Sequence, residues 1–232
     1  PISGGGNLRV GVGSGNVGTI VLAGNNTYTG TTTVSAGTLL VNGANGTSPV
    51  TVNSSGTLAG TGSLGGTVNV LAGGNLTPGI PARGALTAAI GTLTAGNTTI
   101  GGTVTMKIDR GAVPNSDKLV APSVVVNAGA TLTVNNLGST ALAAGDTFTL
   151  FSTPISGAFS TVNLPALPDS NLAWTNKLAV NGTIAVVSTS TVNPTPTTIT
   201  VTTVGNNMTL SWPLDHTGWT LQVQTNSITT GV

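Results

Sequence analysis

The sequence has no cysteine and no glutamate, a single tyrosine and a single histidine, and only 5% of its 232 residues are charged. Without thiols there are no disulfides and no thiolate metal sites, and the redox compartment stays open. An ordinary globular domain carries about 25% charged residues, so the polar surface here has to come from uncharged groups. Six cations, Arg9, Arg83, Lys107, Arg110, Lys118 and Lys177, are scattered against five aspartates, for a net charge of +1. Nucleic acid is recognised by clustered Lys and Arg that neutralise phosphates. No nucleic-acid partner is therefore expected. No apolar run approaches the roughly 18 residues of a membrane helix, so no membrane span is expected in this chain. Helical periodicity is also missing, which argues against a helix-rich fold.

What fills the sequence instead is 43 threonines and 34 glycines, with an apolar fraction of 38%. The apolar residues are mostly Val, Leu, Ile and Ala, and β-branched side chains favour a pleated, half-buried surface. Disorder goes with low hydrophobicity and high net charge, and neither applies. The composition predicts an ordered, all-β protein.

A repeat is the strongest signal. Val34, Val52 and Val70 stand eighteen residues apart, and each begins the same phrase. Val34-Ser-Ala-Gly-Thr-Leu39 is followed by Val52-Asn-Ser-Ser-Gly-Thr-Leu58 and Val70-Leu-Ala-Gly-Gly-Asn-Leu76, with a later copy in Val126-Asn-Ala-Gly-Ala-Thr-Leu132. A short strand, a glycine-bearing turn and a second strand make one coil of a solenoid, and the next coil stacks on it at about 4.8 Å. Apolar residues alternate inward, Thr, Asn and Ser face outward, and Gly serves the corners. The spacing predicts about eight to ten coils, a rod of about 40 Å.

Three segments follow. Residues 1–188 are expected to form a β-solenoid of stacked strand repeats, regular over 1–82 and with longer strands and turns beyond. Residues 189–197 read as a Thr/Pro linker, through Thr191-Val-Asn-Pro-Thr-Pro-Thr197. Residues 198–232 read as a partial β-sandwich-like module with strands at Thr198–Val204, Met208–Trp212 and Trp219–Gln224. Pro1-Ile-Ser-Gly-Gly-Gly opens in mid-pattern, as a segment cut from a longer chain would.

The stretch Leu22-Ala-Gly-Asn-Asn-Thr-Tyr-Thr-Gly-Thr-Thr-Thr-Val-Ser-Ala-Gly-Thr-Leu-Leu-Val-Asn-Gly43 resembles the autotransporter-associated β-strand repeat. Gly102-Thr-Val-Thr-Met-Lys-Ile108, Ser116-Asp-Lys-Leu-Val120 and Gly145-Asp-Thr-Phe-Thr-Leu-Phe151 look like the last coils of an autotransporter passenger. The resemblance implies a right-handed parallel β-helix, exported to the bacterial cell surface or exterior and used as a stalk or adhesin. An outer-membrane barrel would follow in that family. Here Leu210-Ser-Trp-Pro-Leu-Asp-His-Thr-Gly-Trp-Thr-Leu-Gln-Val-Gln-Thr225 instead resembles the opening strands of a small β-sandwich found at the ends of other secreted bacterial repeat proteins.

Parallel β-helices also include polysaccharide hydrolases and lyases. Glycoside hydrolysis ordinarily takes two carboxylates facing one cleft. Asp109, Asp117, Asp146, Asp169 and Asp215 do not pair at strand spacing or at the eighteen-residue period. Asp109 and Asp117 flank one long turn, where Asp bonds to backbone. Ser211, Asp215 and His216 fail as a triad, because adjacent residues of an extended chain point apart. No catalytic residue, metal site or cofactor is expected. Tyr28, Trp174, Trp212 and Trp219 are not spaced to line up as a sugar-stacking platform. Seven Asn-x-Ser/Thr triplets, from Asn25 to Asn207, are what chance gives in a chain so rich in Asn and Thr.

The terminal module is too short to close a sandwich of about seven strands. Its three strands would leave an open apolar edge, so Leu210, Trp212, Trp219, Leu221 and Val223 form a candidate assembly surface. The expected function is a secreted or cell-surface structural or adhesive protein, a stalk or a fibre subunit. Its expected partners are copies of itself, joined head-to-tail by strand addition into a filament, or surface and matrix components. The alternative is a carbohydrate-binding or polysaccharide-degrading β-helix.

Overall fold

The computed structural model describes residues 1–11, 18–82, 86–189 and 197–213. The chain forms two compact units, 1–188 and 189–232.

The first unit is a parallel β-helix with three faces. Its first sheet stacks Leu8–Val10, Thr32–Val34, Val50–Val52, Val68–Val70, Thr98–Ile100, Val124–Val126 and Ile155–Gly157 in chain order, every pair parallel. The second runs through Thr19–Leu22, Gly37–Val41, Gly56–Gly60, Asn75–Pro78, Thr103–Ile108, Thr131–Asn136 and Thr161–Asn163, again parallel. The third holds Ala44–Asn45, Ser63–Leu64, Thr92–Thr94 and Lys118–Val120. Each coil visits the three faces in that order.

The valine spacing is the ladder itself. Val34 pairs with Val52 and Val52 with Val70, while Leu39, Leu58 and Leu76 stack on the adjoining face. The later phrase joins the same columns, Val126 through Ile100 and Leu132 through Val104. These side chains are fully buried or nearly so and make one continuous core. Outside, Thr103, Thr131 and Thr161 stand in register, as do Thr105, Thr133 and Asn163, giving hydroxyl ladders in place of charge.

The corner between the first and second faces explains the recurring Ala/Ser-Gly. The chain turns there through a left-handed residue: Gly37 at φ +72°, Gly73 at +79° and Gly129 at +89°. In the second copy Ser55, in register with Gly73 and Gly129, takes this conformation at φ +71°, while Gly37 of the shorter first corner pairs with Gly56. Gly56 lies so close to the preceding coil that a Cβ would sit 2.3 Å from the Val34 carbonyl oxygen.

Two departures from the sequence expectation stand out. Among the described residues each large sheet has seven strands, fewer than the eight to ten coils expected. Later coils are longer, and the extra chain enters at one corner. It lies between Asn75–Pro78 and Thr92–Thr94, between Thr103–Ile108 and Lys118–Val120, and between Thr131–Asn136 and Phe151, which bridges Leu119. All three excursions leave the second face on the way to the third, whereas from Thr32 onward the corners between the first and second faces and between the third and first stay at two to four residues. The first two are clasped at their bases by antiparallel bridges, Ile80 to Ala89 and Ile108 to Ser116.

The second departure is the C-terminal end of the first unit. Stacked repeats were expected to residue 188. Instead, Thr147–Thr149, Thr183–Ser188 and Leu172–Lys177 form an antiparallel sheet, with the one-turn helix Leu178–Asn181 between its last two strands. All three phenylalanines of the chain, at 148, 151 and 159, fall in this region. Phe148 packs against Trp174 with ring centroids 6.1 Å apart, and Phe151 against Phe159 at 6.2 Å. Phe148, Phe151, Leu178, Ile184 and Val186 continue the solenoid core. Large rings and a local hairpin thus replace the narrow Val/Leu column, and the chain covers that end of its own core.

Of the second unit the structure describes an antiparallel hairpin, Thr200–Val204 with Asn207–Ser211. Most of the expected linker (190–196) and the expected strand Trp219–Gln224 lie outside the described residues. No helix among the described residues is long and apolar enough to cross a membrane.

Candidate functional site

The hairpin turns at Gly205 and Asn206, with Gly205 at φ +60°, the first loop position where a tight hairpin calls for glycine. Cross-strand partners share a face and so do alternate residues of one strand. Val201 faces Leu210 and Thr203 faces Met208, and Ile199 and Trp212 continue the two rows. One side is therefore mainly apolar, with Ile199, Val201, Met208, Leu210 and Trp212 beside Thr203, and the other carries Thr200, Thr202, Asn207, Thr209 and Ser211, with Val204 at the turn end. The apolar side is open among the described residues: Val201 is 56% and Met208 65% exposed, and Trp212 37%. Leu210 and Trp212 of the expected assembly surface thus lie on one face. Trp219, Leu221 and Val223 lie outside the described residues. Ile199, Val201 and Met208 belong to this face and were missed, although their two-residue alternation with Thr is plain in the sequence.

The described carboxylates all have partners within the fold. Asp109 accepts a hydrogen bond from the Gly111 amide at 2.8 Å and Asp169 one from the Asn171 amide at 2.8 Å, both local turns. Asp146 accepts from Arg110 Nε and from the Ala143 amide, each at 2.8 Å. Asp117 is fully buried and pairs with the Lys107 ammonium at 2.6 Å. It also accepts the Gly91 amide at 2.9 Å and the Lys107 amide at 2.7 Å, and Lys107 Nζ reaches the Pro78 carbonyl at 2.7 Å. Burial raises the Asp117 carboxyl to about 6, against the Lys107 charge and these hydrogen bonds, which lower it. Asp215 and His216 lie outside the described residues, and Ser211 closes an exposed hairpin strand. Among the described residues no group of three His, Cys, Asp or Glu could hold a metal ion.

Tyr28 and Trp174 serve different parts of the first unit. Tyr28 is buried, its hydroxyl 2.6 Å from Thr32 Oγ1 and accepting from Asn45 Nδ2 at 3.3 Å. Thr32 in turn meets Ser48, and Asn26 donates to Asn45 at 2.8 Å, so the Asn-Thr-Tyr-Thr-Gly segment makes a polar corner inside the coils. Trp174 is half-buried, its Nε1 donating to the Pro165 carbonyl at 2.9 Å.

Two cavities open in the first unit, both against the excursion corner. One, of about 480 Å³, lies over the second face among Thr57, Asn75, Thr105, Lys107, Pro81 and Leu137. The other, of about 390 Å³, lies beside the 109–116 turn.

The stacked coils and the buried Tyr28 corner lead to the family. Residues 16–41 match the model of the passenger-associated-transport-repeat. This chain carries that repeat. In the structure the passenger-associated-transport-repeat is one complete turn: it begins on the second face at Thr19–Leu22 and returns to it at Gly37–Val41, where Thr19 pairs with Thr38. It contains Tyr28 and the left-handed Gly37. Repeat and fold together support a passenger-type β-solenoid of a secreted or surface protein. No curated protein matches the chain.

Proposed function

We propose that the chain is a non-catalytic structural or adhesive element of a bacterial cell surface or its exterior, a stalk or fibre subunit that associates through its C-terminal hairpin. The open apolar side of that hairpin carries the proposal. A two-stranded hairpin is marginal alone and gains stability by packing its apolar side on something else. In the solenoid, Thr19–Leu22 is an outer strand of its sheet, with Ile20 and Val21 exposed at 40% and 49%. Hairpin against outer strand, copy to copy, is a contact that does not close, and such contacts build filaments. The non-catalytic reading draws support from the four described aspartates, each spent on a backbone amide or a cation.

Electron microscopy and light scattering on the whole chain test this. Filaments or concentration-dependent oligomers are expected, and Met208→Thr with Trp212→Ser should disperse them. Monomers at high concentration in the unaltered chain would sink the assembly role.

A further inference from the structure

We propose that the cavity beside the 109–116 turn binds an acidic sugar unit, a uronic acid of an extracellular polysaccharide. The proposal stands independently of the hairpin.

Long insertions in a solenoid fall on one side, and that side is commonly the binding side. Here all three excursions leave the same corner. The cavity opens there, of about 390 Å³ and lined by Arg110, Lys118, Asn115, Thr92 and the lip Ala112-Val113-Pro114. That volume lies at the small end of ligand pockets, larger than an inorganic anion needs.

Both charged side chains on its wall are cations. Asp109 and Asp146, which lie on the neighbouring turns, do not line it. Arg110 is held in place: Nε donates to Asp146 and Nη1 to the Ala141 carbonyl at 2.9 Å. That leaves Nη2 with no partner among the described residues. Lys118 stands on the third face beside Thr92, its register partner. Neither Lys118 Nζ nor the Thr92 hydroxyl has a partner among the described residues. One free ammonium, half a guanidinium and a free hydroxyl thus face one space in a chain with only six Lys and Arg.

The wall is rigid before anything binds. Asn115 Nδ2 donates to the Thr147 carbonyl at 3.0 Å and Ser116 Oγ to the Thr149 carbonyl at 3.1 Å, so the turn is fastened to the next coil. The backbone closes it with Asp109 N to Asn115 O at 2.8 Å. A preformed wall avoids the ordering cost of binding. The exposed lip of Val113 and Pro114 gives the C–H face of a sugar ring an apolar rest. The two cations take its carboxylate through charge-assisted hydrogen bonds, and the Thr92 hydroxyl and Asn115 Oδ1 serve its hydroxyls.

The test is an NMR titration of the whole chain at low salt with a trimer of galacturonic acid, the neutral galactose trimer and inorganic sulfate. Shifts confined to residues 92 and 109–118, with the acidic trimer the tightest ligand, are expected. Lys118→Ala, a surface change that leaves strand pairing intact, should weaken the acidic trimer about tenfold, and Lys177→Ala should leave it unchanged. Added salt should weaken it as well. Equal binding of the neutral trimer, sulfate binding as tightly as the acidic trimer, an unchanged affinity in Lys118→Ala, or no shifts at all would each overturn the proposal.

Discussion

Lys107 and Asp117 meet at 2.6 Å inside a solenoid wall that is otherwise almost free of charge, and both are buried. Lys107 lies on the second face and Asp117 just before the third, so the pair ties the two ends of the 109–116 excursion together. Through Pro78 and Gly91 it also holds the preceding coil. Removing one partner leaves the other charge buried and uncompensated, which typically costs 3–5 kcal/mol. Lys107→Met should lower stability by about that much in urea unfolding, and Lys107→Met with Asp117→Leu should recover most of the loss. A double variant no better than the single one would show that the pair is not acting as a unit.

The same carboxyl sets a pH dependence. Asp117 is raised from 3.8 to about 6 in the fold, so it holds its proton more tightly folded than unfolded. Its contribution is therefore fully present below pH 4 and is lost as pH rises through 6, with a size of the order of 3 kcal/mol. Urea midpoints should be higher at pH 4.5 than at pH 7.5, and Asp117→Asn should flatten the difference. A midpoint that instead climbs with pH would mean that the attraction of Lys107 outweighs burial.

Ser55 carries a strained backbone for the sake of the corner. A non-glycine residue in the left-handed region costs about 1–2 kcal/mol, offset in part by the greater freedom of glycine in the unfolded chain. Ser55→Gly should therefore stabilise by about 0.5–1 kcal/mol. Gly56→Ala should do the opposite and more strongly, because its Cβ would meet the Val34 carbonyl.

The valine column and the threonine ladder should respond unequally. Val52 is fully buried, and Val52→Ala should cost about 2 kcal/mol through lost burial and a cavity. Thr51, its outward neighbour, should tolerate alanine within about 0.5 kcal/mol. Equal losses at the two positions, by chemical denaturation, would contradict the inward and outward assignment.

The coils were legible because the period is short and physical. Val34, Val52 and Val70 repeat at the length of one turn, and each is followed within four residues by a glycine. The later coils hid their period because Ile100 replaces Val in the column and the excursions lengthen the spacing between equivalent residues. The antiparallel end went unread because Leu172–Lys177 and Thr183–Ser188 alternate like any strand. Only the concentration of Phe148, Phe151, Phe159 and Trp174 there signals a change of packing. Leu210 and Trp212 were legible as an apolar pair. Lys107 with Asp117, and Arg110 with Lys118, were not, since each pair is brought together by the path of the 109–116 excursion, which no strand period encodes.

The excursion corner has a consequence for how such a chain can vary. The register of the three faces is fixed by the ladders, while the passage from the second face to the third takes up anything from a tight turn to a long clasped loop without disturbing them. In the early coils that passage is still short, and at its tip Thr61 is exposed between Gly60 and Gly62. A peptide grafted at Thr61 would emerge in line with the natural loops below it. A row of such grafts would turn the solenoid into a ruler that presents different sequences at fixed intervals of about 4.8 Å.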